Sequence, residues 1–118
     1  MKYDKLIRDR IPEIIAANGQ TARVRRLTDA EFLAKLDQKL AEELAEYHAG
    51  GNIEELADLL EVIYAAALAR GCTADELDRI RAEKAAERGA FAEKLLLIEV
   101  TEPSAEKERS PHADTERP

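Results

Sequence analysis

Apolar residues recur at mostly three- and four-residue intervals through Phe32, Leu33, Leu36, Leu40, Leu44 and Tyr47, and again through Ile53, Leu56, Leu60, Ile63 and Ala67. Spacing of this kind predicts two amphipathic helices, over about 29–48 and 53–70. Their ends carry capping chemistry. Thr28-x-x-Glu31 is a capping box, Gly50-Gly51 stops the first helix, Asn52 caps the second, and Gly71 closes it. Thr73-x-x-Glu76 is a second capping box, opening a further helix that runs to Gly89. The links are a few residues long, so successive helices are expected to pack antiparallel, giving a mainly α fold of helical hairpins. The first 27 residues are less regular. Pro12 suits the first turn of a short helix ending at Gly19, KLIRD reads as a short strand, and ARVRRL alternates weakly. KLLLIEV, residues 94–100, reads equally as strand or helix end, so a few short strands from it and the N-terminal segment are compatible with the pattern.

Composition narrows this picture. With 118 residues, 45% hydrophobic and 4% aromatic, the chain suits one domain with an aliphatic core, placed at residues 1–100. Residues 101–118 hold three of the four prolines and nothing apolar larger than Ala besides them, so they are expected to form a disordered tail. The net charge of −7, without a run of Lys or Arg, argues against a polymeric nucleic-acid ligand. No apolar stretch reaches membrane-spanning length and no apolar leader follows Met1, so the expected location is soluble and cytoplasmic. One cysteine, Cys72, and two histidines, His48 and His112, nearly exclude a Cys/His zinc site, leaving carboxylates as the ligands of any metal.

A helical wheel at about 100° per residue sharpens that point. With Leu36 at zero, Glu43 falls near −20°, in the middle of the core face, while Glu42 lies near −120°, on the solvent side. Glu46 and Lys39 border the face at about −80° and −60°. On the second helix, with Leu56 at zero, Glu55 falls near −100° inside a broad apolar arc, and Asp58 sits at its edge. An arc this wide exceeds what one partner helix covers and predicts burial against a second subunit.

A charged carboxylate on a core face requires a partner. A short hairpin brings Glu43 and Glu46 near Glu55 and Asp58, and four carboxylates without His or Cys suit a hard cation, Mg²⁺ or Mn²⁺, whose remaining ligands are waters or substrate phosphates. Simpler roles compete. Glu43 can pair with Lys39 at i−4, Glu55 can complete a capping box begun by Asn52, and Glu46 and Asp58 can be ordinary surface residues.

KLAEELAEY, EELADLLEVIYA and the downstream KAAERGAF together resemble the all-α nucleoside triphosphate pyrophosphohydrolase (MazG-like) superfamily. The opening KLIRDRIPEII resembles the start of its small phosphoribosyl-ATP pyrophosphohydrolase-like branch, and the likeness covers about residues 3–100. It implies Mg²⁺-dependent hydrolysis of a nucleoside triphosphate to monophosphate and pyrophosphate in a homodimer or homotetramer, with Glu43, Glu46, Glu55 and Asp58 as metal ligands. Only residues 47–54 separate the two acidic motifs, a short spacing that matches the small branch. No histidine directly follows the Asp58 segment, which disfavours phosphoribosyl-ATP itself as substrate and leaves it as an alternative.

In such a site the metal neutralises phosphate oxygens and activates a water for in-line attack, and Glu46 is the candidate for orienting that water. Arg81, Lys84 and Arg88 form an i, i+3, i+7 stripe, with Lys39 beside the carboxylate face, as candidate substrate contacts; the stripe reads equally as a solvated face paired with Glu83 and Glu87. Lys5, Arg8 and Arg10 match basic positions of the resembling opening segment and are secondary candidates. A non-catalytic nucleotide-sensing helical dimer and a plain structural adaptor are the rival readings.

Overall fold

The computed structural model describes residues 4–103, and its regular structure is helical throughout: α1 (Ile11–Ala17), α2 (Asp29–Gly50), α3 (Ile53–Ala69) and α4 (Ala74–Arg88). α1 starts with Pro12 in its first turn, where the missing N–H costs no helical bond. Thr28 opens α2 with a complete capping box: its Oγ1 accepts from the Glu31 N–H at 3.2 Å, and its own N–H donates to Glu31 Oε1 at 2.9 Å. Arg25 adds two bonds to the same carboxylate, at 3.2 and 3.0 Å. Those Arg25 bonds, then the Thr28 N–H, hold the Glu31 carboxyl at about 2. α2 runs two residues beyond the predicted end and stops at Gly51, whose φ of 69° is the left-handed conformation that glycine adopts without strain. Thr73 and Glu76 form the second box, at 2.9 and 3.2 Å, at the start of α4.

Among the described residues, α2 and α3 are the only helices that pack against one another. Two residues, Gly51 and Asn52, join them, so they form an antiparallel hairpin. The expected second hairpin, of α3 with α4, is not formed. α4 carries only Leu77 and Ile80 as large apolar residues and so lacks the stripe that packing requires. The expected strands are also absent among the described residues: 5–9, 22–27 and 94–100 have no regular structure. A short strand gains stability only from neighbouring strands, and none of these segments has one to pair with.

The chain divides between Ala82 and Glu83 into two compact units. The first contains α1, α2, α3 and the start of α4; the second begins in the last turns of α4 and continues through an irregular, exposed stretch. Of the proposed tail, 101–103 have no regular structure and 104–118 lie outside the described residues. Leu36, 1% exposed, and Glu43, 6% exposed, are the buried residues among those described, and both belong to α2. No described helix is long and apolar enough to cross a membrane.

Candidate metal centre

Glu43 is where the helical wheel places it, on the inward face of α2 two turns beyond Leu36. The hairpin brings α3 alongside, and one carboxylate oxygen each from Glu43, Glu55 and Asp58 lies within 4.8 Å of the others. A second triplet, Glu42, Glu43 and Glu46, meets the same limit along α2. The two triplets share Glu43 and between them contain all four predicted ligands. Oxygens around an octahedral Mg²⁺ stand about 3 to 4 Å apart, so modest side-chain rotation would close the Glu43–Glu55–Asp58 set around one ion. All donors are carboxylate oxygens, as a hard cation requires.

The acids strain against one another. Partial burial pushes the Glu55 carboxyl above its ordinary range, and the neighbouring charges of Glu46, Asp58 and Glu43 push it further. Glu55 does not spend its carboxylate on a cap. Asn52 Oδ1 accepts from the Glu55 N–H at 3.1 Å, and the return bond that would complete a capping box is not made, so the side chain is left to the cluster.

Cations from three directions offset this charge. Lys39 reaches Glu42 at 3.0 Å and Glu43 at 3.5 Å, so the i−4 ion pair anticipated for Glu43 is present. Burial alone would lower the Lys39 ammonium, but the bonds and charges of Glu42 and Glu43 outweigh it and raise it. The N-terminal segment supplies the other two. Lys5 stands 3.7 Å from Glu42, and an Arg8 Nη2 donates to Asp58 Oδ1 at 2.8 Å. Lys35, whose Nζ donates to the Asp4 carbonyl at 3.2 Å, pins the same segment across α2.

Three of the seven basic candidates, Lys5, Arg8 and Lys39, are therefore gathered at the carboxylates. Arg10 instead pairs with Glu13 at 3.3 Å, at the start of α1, and Arg81 with Asp78 at 2.8 Å on its own helix. Lys84 and Arg88 belong to the second unit, where Arg88 stands 3.9 Å from Glu87.

Glu42 escaped the wheel, which assigns it to solvent. It is half-buried because the N-terminal segment lies along that flank of α2, and its bond from Lys39 lowers its carboxyl. Lys39 at i−3 was the available signal. A second feature without a sequence signature is a cleft of about 430 Å³ beside Arg8, lined also by Ile7, Pro12, Val24, Arg25 and Arg26.

No family model and no solved structure matches this chain. A protein of Mycolicibacterium smegmatis, described as an uncharacterized protein, is 56% identical over 45 residues, which is 38% of this chain. The chain spans about half the length of that curated relative, 46% of it being matched.

Proposed function

We propose that the protein is a Mg²⁺-dependent nucleotide pyrophosphohydrolase, releasing a nucleoside monophosphate and pyrophosphate and serving to clear surplus or noncanonical nucleotides in the cytoplasm. One observation carries this reading: a buried glutamate, Glu43, faces Glu55 and Asp58 across a helical hairpin, with an oxygen from each inside 4.8 Å. The resemblance of KLAEELAEY, EELADLLEVIYA and KLIRDRIPEII to the MazG-like superfamily, which includes these carboxylates, supports the same reading.

Glu43, Glu55 and Asp58 would hold Mg²⁺, or Mn²⁺ in its place, and the bound cation would polarise phosphate oxygens and lower the pKa of a water. Glu46, exposed and one turn beyond Glu43, would orient an attacking water and accept its proton. Lys39 and Lys5 supply positive charge for the phosphate oxygens that the site does not otherwise neutralise. Leu56, Leu60 and Ile63 on α3 are 40%, 46% and 37% exposed, and a second copy covering them would complete a homodimer or homotetramer.

Purified protein incubated with Mg²⁺ and a panel of nucleoside triphosphates, with phosphoribosyl-ATP alongside, should release pyrophosphate from at least one of them. Glu43→Gln and Asp58→Asn should each reduce that release to background while leaving helicity unchanged by circular dichroism. No release from any substrate would exclude the hydrolase. A second reading, a nucleotide-sensing module without turnover, draws on the ion pairs themselves, since Glu42, Glu43 and Asp58 are each already matched by a cation. Such a module would bind nucleotide with Mg²⁺ and release nothing.

A further inference from the structure

Arg8 stands at a junction: its guanidinium bonds Asp58 at 2.8 Å, and the residue also lines the 430 Å³ cleft. We propose that Arg8 is a switch between these two positions, leaving Asp58 when a divalent cation is bound there and completing, in the cleft, a site for a tetrahedral oxyanion of the phosphate type. The inference rests on the reading of Glu43, Glu55 and Asp58 as a cation site and assigns that site a means of sensing its own occupancy.

Three observations carry it. First, the Arg8–Asp58 contact spans fifty residues of sequence and is half-exposed, with side-chain exposures of 57% and 44%, so it is a weak tie that a divalent ion can displace. Second, Arg8 and a bound dication compete for the charge of the same Asp58 carboxylate. A guanidinium beside a bound dication is also repelled by it, which drives Arg8 away as the cation arrives. Third, the cleft has what an arriving guanidinium needs. Arg26 has no ion pair or hydrogen bond among the described residues, whereas Arg25 is committed to Glu31 at both of its terminal nitrogens. Ile7, Pro12 and Val24 are its apolar lining residues, and Asp9 is its single acid. Arg8 and Arg26 together then present two forks to one anion, the geometry that favours bidentate binding of phosphate oxygens. With Arg8 held at Asp58, Arg26 is the cleft's one uncommitted cation and its attraction for an anion is weaker.

The consequence is reciprocal coupling: a cation at the carboxylates strengthens anion binding in the cleft, and the anion strengthens cation binding by the same factor. The 118-residue protein titrated with Mn²⁺ by calorimetry, without nucleotide, tests this against Arg8→Ala, Arg8→Lys and Arg10→Ala. Losing a half-exposed ion pair predicts Mn²⁺ affinity about two- to fivefold tighter for Arg8→Ala. Arg8→Lys should fall between Arg8→Ala and the parent. Arg10→Ala, which removes the same charge two residues away, should match the parent. Millimolar sulfate, compared with chloride at equal ionic strength, should tighten Mn²⁺ binding in the parent and lose that effect in Arg8→Ala. Unchanged or weaker Mn²⁺ binding by Arg8→Ala, an equal gain in Arg10→Ala, or a sulfate effect independent of Arg8 would each overturn the switch while leaving the cation site standing. Absence of Mn²⁺ binding by the parent protein, or binding that Asp58→Asn leaves unaltered, would instead remove the cation site, and the switch with it.

Discussion

α2 and α3 are partners in one hairpin, yet they differ in what they hide. α2 holds both buried residues, Leu36 and Glu43, whereas α3, with a longer run of aliphatic side chains, buries none of them fully. The difference lies in how many segments each helix meets. α2 is covered by α3 on one side and by the N-terminal segment, through Lys5 and Lys35, on another. Among the described helices α3 packs only on α2; the N-terminal segment reaches it at Asp58, through Arg8, and its arc of Leu56, Leu60 and Ile63 extends past these contacts. Apolar content along a helix therefore says how much surface needs covering, while burial records how much the chain itself supplies.

Substitutions on the two helices can break this contrast. Leu36→Ala should cost about 2 to 5 kcal/mol in denaturant unfolding, the range for a buried leucine whose site cannot collapse. Leu60→Ala should cost under about 1 kcal/mol if its 46% exposure persists in solution. A cost for Leu60 approaching that of Leu36, and growing with protein concentration, would show that a second copy covers α3. Leu60→Glu sharpens the same question: light scattering should report a multiple of the 13.2 kDa chain mass for the parent and the monomer mass for the variant. A monomeric parent would refute the proposed oligomer.

Smaller effects separate the helix ends. Thr28→Ala removes the acceptor of the α2 capping box and should cost about 1 kcal/mol. The pH dependences of Glu31 and Glu55 should have opposite signs. The folded Glu31 carboxyl is depressed to about 2, so its stabilising contribution is complete above the unfolded value of about 4.5 and declines as pH falls toward 2. Glu31→Gln should accordingly lower Tm at pH 7 and lose that effect in acid. Glu55 is raised, so its ionised form opposes folding above its pKa, and Glu55→Gln should raise the Tm of metal-free protein at pH 7 by a degree or so, with the gain vanishing below about pH 4. A Tm gain at pH 7 that Mg²⁺ abolishes would tie the strain to the cation site.

What was legible in the sequence follows from the range of the forces involved. The caps at Thr28, Asn52 and Thr73 act over three residues, so their helices start where the motifs place them. The burial of Glu43 follows from helical phase alone, a property of one element. Three things needed tertiary information. Glu42 is shielded by a segment nearly forty residues away in the chain; the failure of 94–100 to form a strand depends on the lack of a neighbour; and the Arg8–Asp58 tie joins positions 8 and 58 through no shared motif. The family likeness marked Arg8 as basic and of interest, but only the fold assigns it a carboxylate.

The two-residue link between α2 and α3 also sets a phase. Gly51 turns the chain in a left-handed conformation, and a Cβ placed on Gly50 would stand 3.4 Å from Glu55 Oε1, so the turn sits directly against a candidate ligand. Lengthening such a loop by one residue costs little in closure entropy. An added residue, however, changes the register at which α3 meets α2, and the Glu55 and Asp58 carboxylates face Glu43 only in the present register. The Gly51-Asn52 connection thus works like the tooth setting between two gears. Length variants there are expected to be tolerated by the fold and rejected by the carboxylate cluster, which makes the linker the place where folding and cation binding can be separated by a single inserted residue.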